Sequence, residues 1–216
     1  MDKGRDKIAA VTLAVALVGY SATAGLAVPG RRHPLVQAAL GTALAARTHA
    51  PLGLRGVPAR AGLRLGTISA AAVAVGVSAT TAVPAVRAAM RARDIPTPRW
   101  MWLTVGIPLG TVWSEETMYR AALGTAAADA FGPGPGRLLQ AAAFGLSHVV
   151  DARAAGEPVA GTVLVTGAAG WLFGWLAGRS GSVLAPALAH LAINEAGAVA
   201  ALAVQRRARR SLGERW

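Results

Sequence analysis

Residues 158–178, PVAGTVLVTGAAGWLFGWLAG, form a run of 21 without an ionisable side chain. A helix needs about 20 mostly apolar residues to cross the hydrocarbon core of a bilayer. This stretch therefore reads as a membrane span. Residues 8–30 and 65–86 are uncharged runs of 23 and 22 residues. A fourth run, 180–205, is interrupted only by His190 and Glu195. Composition agrees: 54% of the chain is hydrophobic and 15% is charged, against about 25% charged in soluble domains.

In lipid every backbone polar group must bond within the protein, which leaves helices or a closed barrel. The alanine-rich runs have no period-two alternation, so strands are excluded. The expected fold is all-α, a polytopic transmembrane bundle of about seven helices (six to eight) in the cell membrane. Its apolar segments lie near 8–29, 34–50, 65–87, 100–130, 137–150, 158–178 and 181–205. Residues 1–99 hold the N-terminal helices and loops, 100–205 hold the polar motifs discussed below, and 206–216 form a basic tail. Residues 34–46 and 138–150 would each make about 20 Å of helix, short of a core about 30 Å thick. Such segments either extend into their polar flanks or stop inside a protein-lined cavity.

The net charge of +12 does not indicate nucleic acid binding. Arginines punctuate the apolar runs at Arg31 and Arg32, at Arg87, Arg91 and Arg93, and at Arg206, Arg207, Arg209 and Arg210. Basic flanks orient spans and attract anionic headgroups, and no nucleic-acid motif accompanies them. The dense C-terminal cluster favours a cytosolic C-terminus. Lys3, Arg5 and Lys7 precede the first run, and Ala22-Thr23-Ala24 has the small-x-small form of a signal-peptidase site. The run continues to Gly30, so a retained first span is expected. With no cysteine, disulfides and thiol catalysis are excluded.

Against this apolar background three motifs stand out, because a charge at mid-membrane costs roughly 2.5–3.5 kcal/mol on insertion scales. The first is Glu115-Glu116-x-x-x-Arg120, in which Glu116 and Arg120 share a helix face and can pair. Glu115 points about 100° around the helix, free to face something else. The second places Phe144 one turn before His148. The third sets His190 and Asn194 on one face of the last helix, a spacing that also suits interhelical hydrogen bonding. Their joint occurrence in this order points to one shared polar site.

The pattern E-E-x-x-x-R, F-x-x-x-H, H-x-x-x-N resembles the CPBP family of intramembrane proteases, which includes CAAX prenyl endopeptidases and bacteriocin-processing or self-immunity proteins. The resemblance covers about half the chain, from Trp100 to Leu202. Tyr119 departs from it, since members often carry Phe before the Arg. It implies a membrane-embedded endopeptidase that cleaves a membrane protein or peptide near the bilayer surface. Carried over by position, Glu115 is the general base and His148 helps bind the attacking water. Glu116 is fixed by Arg120, while His190 and Asn194 polarise the scissile carbonyl and stabilise its oxyanion. Glu115, His148 and His190 also make a plausible catalytic zinc set with water as fourth ligand. No H-E-x-x-H helix is present to fix two ligands locally.

Other features read as structural. Gly170, Gly174 and Gly178 form a small-residue stripe for close helix approach. Trp113, Trp171 and Trp175 read as packing or interface anchors, and Pro108 as a kink before Glu115. Glu195 is an intramembrane carboxylate outside the motifs. Two other function classes use similar residues: a cation-coupled transporter with a Glu/His relay, and a non-catalytic membrane immunity or scaffold protein. The first lacks the expected inverted repeats, and intact motif residues argue against the second.

Overall fold

Prolines mark where several helices begin. Pro34, Pro84 and Pro133 occupy the first turn of helices, where a missing N–H costs nothing and φ is already helical. The computed structural model describes residues 3–26 and 28–211. It contains α1 (Lys3–Ala22), α2 (Pro34–Arg47), α3 (Gly56–Thr80) and α4 (Pro84–Ala92). These are followed by α5, a continuous helical run over 99–131, then α6 (Pro133–Ser147), α7 (Val149–Ala154), α8 (Val159–Ser180) and α9 (Leu184–Ser211). No strand occurs among the described residues. The fold is an all-α helical bundle.

Boundaries differ from the sequence reading in four places. The first helix starts at Lys3 and ends at Ala22, with a single tight turn over Thr23–Gly25, rather than running to residue 29. Residues 65–87 divide between α3 and α4, because Pro84 disfavours a helical conformation at the residue before it. Neither short segment extends to full span length: α2 has 14 residues and α6 has 15. Finally, α9 continues through the arginine cluster to Ser211, so 206–211 belong to the last helix.

Among the described residues, three helices are long and apolar enough to cross a membrane: Gly56–Thr80, Val159–Ser180 and Leu184–Arg210. Their outer faces are apolar: Leu164 and Val165 on α8 are 72% and 71% exposed, and Ile68, Val75 and Val199 are exposed on α3 and α9. Large aliphatic side chains that face outward are stable only where lipid replaces water. This is a membrane protein.

Small residues set the helix spacing. On α3, a Cβ at Gly66 would stand 3.0 Å from the Ala185 Cα of α9. Between α6 and α8, a Cβ at Gly145 would meet the Val163 carbonyl oxygen at 2.6 Å. A Cβ at Gly170 would meet the Phe144 ring at 2.8 Å, and one at Gly174 would meet Gln140 Oε1 at 2.6 Å. The glycine stripe ends there, since nothing lies within 4 Å of a Cβ at Gly178. Gly145→Ala is therefore expected to lower stability by about 1–3 kcal/mol through overpacking against backbone. Gly178→Ala should be neutral or slightly stabilising, because it only restricts the unfolded chain. Unfolding midpoints of the purified variants check both.

Most of α5 is wound wider than an α-helix. Trp102–Trp113 and Glu116–Leu123 are π-helical, with Ser114 N–H donating to Leu109 O and Gly124 N–H to Tyr119 O, five residues back. Pro108 lies inside the first stretch, so the helix continues through it by widening its turns. Such windings are rare and cluster at functional sites. Helix α5 packs against α2, where Trp113 Nε1 donates to Thr42 Oγ1 at 2.9 Å. Its other side joins a buried cluster of Ala14 and Leu17 from α1, Met118, Tyr119 and Leu123 from α5, and Phe144 from α6.

Candidate active site

The motif residues lie where α5, α6, α8 and α9 meet. Glu116 is fully buried and receives two groups. Arg120 Nε stands 3.3 Å from its Oε2, and His190 Nδ1, from α9, lies 2.8 Å from its Oε1. A carboxylate oxygen accepts, so Nδ1 of His190 carries a proton and donates it. That leaves Nε2 facing Glu115, 3.8 Å from its Oε2. The imidazole is held flat by Phe173 of α8, stacked at 5.1 Å between centroids.

Arg120 and Glu116 pair as their spacing predicts, but not through the guanidinium fork. The 3.3 Å approach is a charge contact without hydrogen-bond alignment, and none of the three guanidinium nitrogens has a hydrogen-bond partner. The rings of Phe144 and Phe173 flank the group, their centroids 3.9 and 4.9 Å from Cζ. These faces add cation–π attraction.

Glu115 differs from its neighbour in access. Its side chain is 27% exposed where that of Glu116 is 0% exposed, so water reaches the first carboxylate and not the second. Glu115 lines a cavity of about 140 Å³ together with His148. His148 caps the end of α6, at the break before α7, so this short helix does stop at a protein-lined cavity. Its Nδ1 lies 2.8 Å from the Phe144 carbonyl and 3.2 Å from Ser147 Oγ. The carbonyl can only accept, which fixes the proton on Nδ1 and leaves Nε2 with a free lone pair. The ring packs edge-on to Phe144 at 4.8 Å.

The structure thus brings together Glu115, Glu116, Arg120, His190 and, across the cavity, His148. Asn194 is placed differently. Its Nδ2 donates to the His190 carbonyl at 3.2 Å, within its own helix. It does not line the cavity of Glu115 and His148.

Among the other cavity residues, Tyr20 and Gln37 were not singled out from sequence, and Arg31 was read only as a flanking charge. Arg31 donates to the Tyr20 carbonyl and to Thr23 Oγ1, stacks over the Tyr20 ring at 4.4 Å, and its own carbonyl accepts from Gln37 Nε2 at 2.9 Å. The available signal was Gln37, a polar amide in a short apolar helix. Asp151, at the cavity rim, stands three residues after His148 in the following helical turn.

A zinc ion would need Glu115, His148 and His190 to meet at one point. Both histidines have Nδ1 occupied and Nε2 open, the usual arrangement of metal-ligating imidazoles. Even so, among the described residues no three His, Asp or Glu groups gather closely enough to hold a metal ion. The donors Glu115, His148 and His190 do not converge on one point.

Fold and site together describe a helical membrane protein with carboxylates and imidazoles gathered inside its bundle. Residues 97–196 match the family model described as type II CAAX prenyl endopeptidase Rce1-like, so this segment of the chain is similar to the CPBP family of intramembrane endopeptidases. All three motifs fall inside the match. No curated protein and no solved structure matches the chain.

Proposed function

We propose that the protein is a multi-pass endopeptidase of the cell membrane that hydrolyses peptide bonds near the bilayer surface with water activated by Glu115. The observation that carries this reading is the contrast within the Glu115-Glu116 pair. One carboxylate is open to a cavity shared with His148, while its neighbour is sealed against a cation and an imidazole. Water in the cavity gives a proton to Glu115 and attacks the scissile carbonyl carbon, with His148 Nε2 accepting from its second hydrogen. Glu116 at Nδ1 supports positive charge on His190, so that a protonated Nε2 can donate to the developing oxyanion. Asn194 becomes a second donor once its amide turns from the His190 carbonyl. Glu115 then returns the proton to the departing amine nitrogen, which balances the hydrolysis.

The experiment is cleavage of membrane-derived peptides by the purified full chain in detergent, beside Glu115→Ala. Cleavage by the parent alone supports the enzyme, cleavage by neither supports a transporter or scaffold, and equal cleavage by both removes Glu115 from the chemistry. Zinc held by Glu115, His148 and His190 is a second reading, favoured by the two open Nε2 atoms, and it requires His148 to close on the other two. With water activated by Glu115 and no metal, activity is expected to survive a zinc chelator in full. Chelator inhibition reversed by added zinc would replace that mechanism.

A further inference from the structure

A second cavity, of about 330 Å³, opens at the opposite end of the bundle from the one that holds Glu115 and His148. Its walls come from the last turns of α5, the first turns of α6 and the end of α8, around the turns at Gly132 and Gly181. Arg120 reaches it from behind Glu116. Arg137 and Gln140 face it from α6.

Its polar lining is unbalanced. Arg120 Nε, Nη1 and Nη2, Arg137 Nε and Gln140 Nε2 are all buried N–H donors without a hydrogen-bond partner. The Arg120 side chain is 0% exposed and Gln140 is 1% exposed, so bulk water does not serve them. Buried polar groups of this kind are normally satisfied. Arg137 is held in place by Trp171, whose ring centroid lies 4.6 Å from Cζ. Glu116, the one carboxylate ion-paired with Arg120 among the described residues, is shared with His190, and Asp129 at the cavity rim is exposed. What completes this cavity is a group that only accepts, carries negative charge and offers several oxygens in different directions.

We propose that the cavity of Arg120, Arg137 and Gln140 is a binding site for a phosphate group. Guanidinium forks match phosphate oxygens, and donors from two helices suit a tetrahedral group better than a planar carboxylate. The volume accommodates it with water to spare, at about 30 Å³ per water. The group can be the headgroup of a phospholipid, since basic pockets between membrane helices take such headgroups, or free phosphate. The site lies apart from the proposed peptide-cleaving cavity and does not depend on the protease reading.

The test uses the purified full chain in a non-ionic detergent and follows the unfolding midpoint. One arm titrates inorganic phosphate against chloride at constant ionic strength. The other adds phosphatidylglycerol or a phosphate-free diglucosyl diacylglycerol to the micelles. Saturable stabilisation is expected in at least one arm: by phosphate if the free ion fits, or by phosphatidylglycerol and not the glycolipid if the headgroup does. Arg137→Gln should raise the apparent Kd about tenfold or more, the loss of one charge-assisted contact. If that variant does not fold, Arg137→Lys keeps the charge and stem, loses the fork, and should still weaken binding. No saturable stabilisation in either arm, which is the outcome if water alone fills the cavity, would overturn the site. Unchanged affinity in the folded Arg137 variant would do the same.

Discussion

Glu115→Gln is expected to slow peptide cleavage by about 10²–10⁴-fold, the usual loss on removing a general base, with the protein still folded. Glu115 makes no ion pair within its own helix, and the 3.8 Å approach of His190 Nε2 is too long for a hydrogen bond. Its Oε2 is buried without a hydrogen-bond partner. An amide of the same shape therefore removes a poorly satisfied charge, so the unfolding midpoint should stay level or rise. Functional residues often behave this way, since a site arranged for chemistry is rarely arranged for stability. Asn194→Ala should slow cleavage less, by about 10²–10³-fold if the amide is one oxyanion donor among several. Steady-state rates and thermal unfolding on the same preparations separate the two effects. Cleavage by Glu115→Gln at the parent rate would remove Glu115 from the mechanism.

The parts of the fold legible from sequence are those fixed by local chemistry. Residues 158–178 have to be helical in lipid, and α8 covers Val159–Ser180. Glu116 and Arg120 sit four apart, and they touch. Contacts across helices were not legible. His190 hydrogen-bonds to Glu116 from 74 residues away, and no spacing rule reaches that far. Phe173 was hidden within a run read as plain span, yet it stacks on His190 and covers one face of Arg120. The surroundings of the guanidinium are therefore set by two rings from different helices. Arg31 shows the same limit. As a flanking charge it signals orientation, whereas its stacking on Tyr20 makes it a wall of the Glu115 cavity. The division at 81–83 had a visible cause in Pro84, but an uninterrupted apolar run masked it.

Arg120→Ala should cost about 3–5 kcal/mol, the usual consequence of leaving one partner of a buried ion pair alone. Glu116 would keep the 2.8 Å hydrogen bond from His190 Nδ1 but have no cation near Oε2, at a site with no exposure. The substitution also empties the slot between the Phe144 and Phe173 rings, whose centroids lie 3.9 and 4.9 Å from Cζ, adding a cavity penalty. Both losses act on the groups that hold His190, so activity should fall with folded yield. The two routes separate in Arg120→Lys. An ammonium can approach Glu116 and restore charge balance, but it lacks the flat faces that lie between the rings. Lysine is therefore expected to recover part of the yield and little of the activity, as read by monodisperse yield and by cleavage rate per folded molecule. A fully active, normally stable Arg120→Ala protein would show that Glu116 needs no cation, and that His190 is positioned by Glu116 and Phe173 alone.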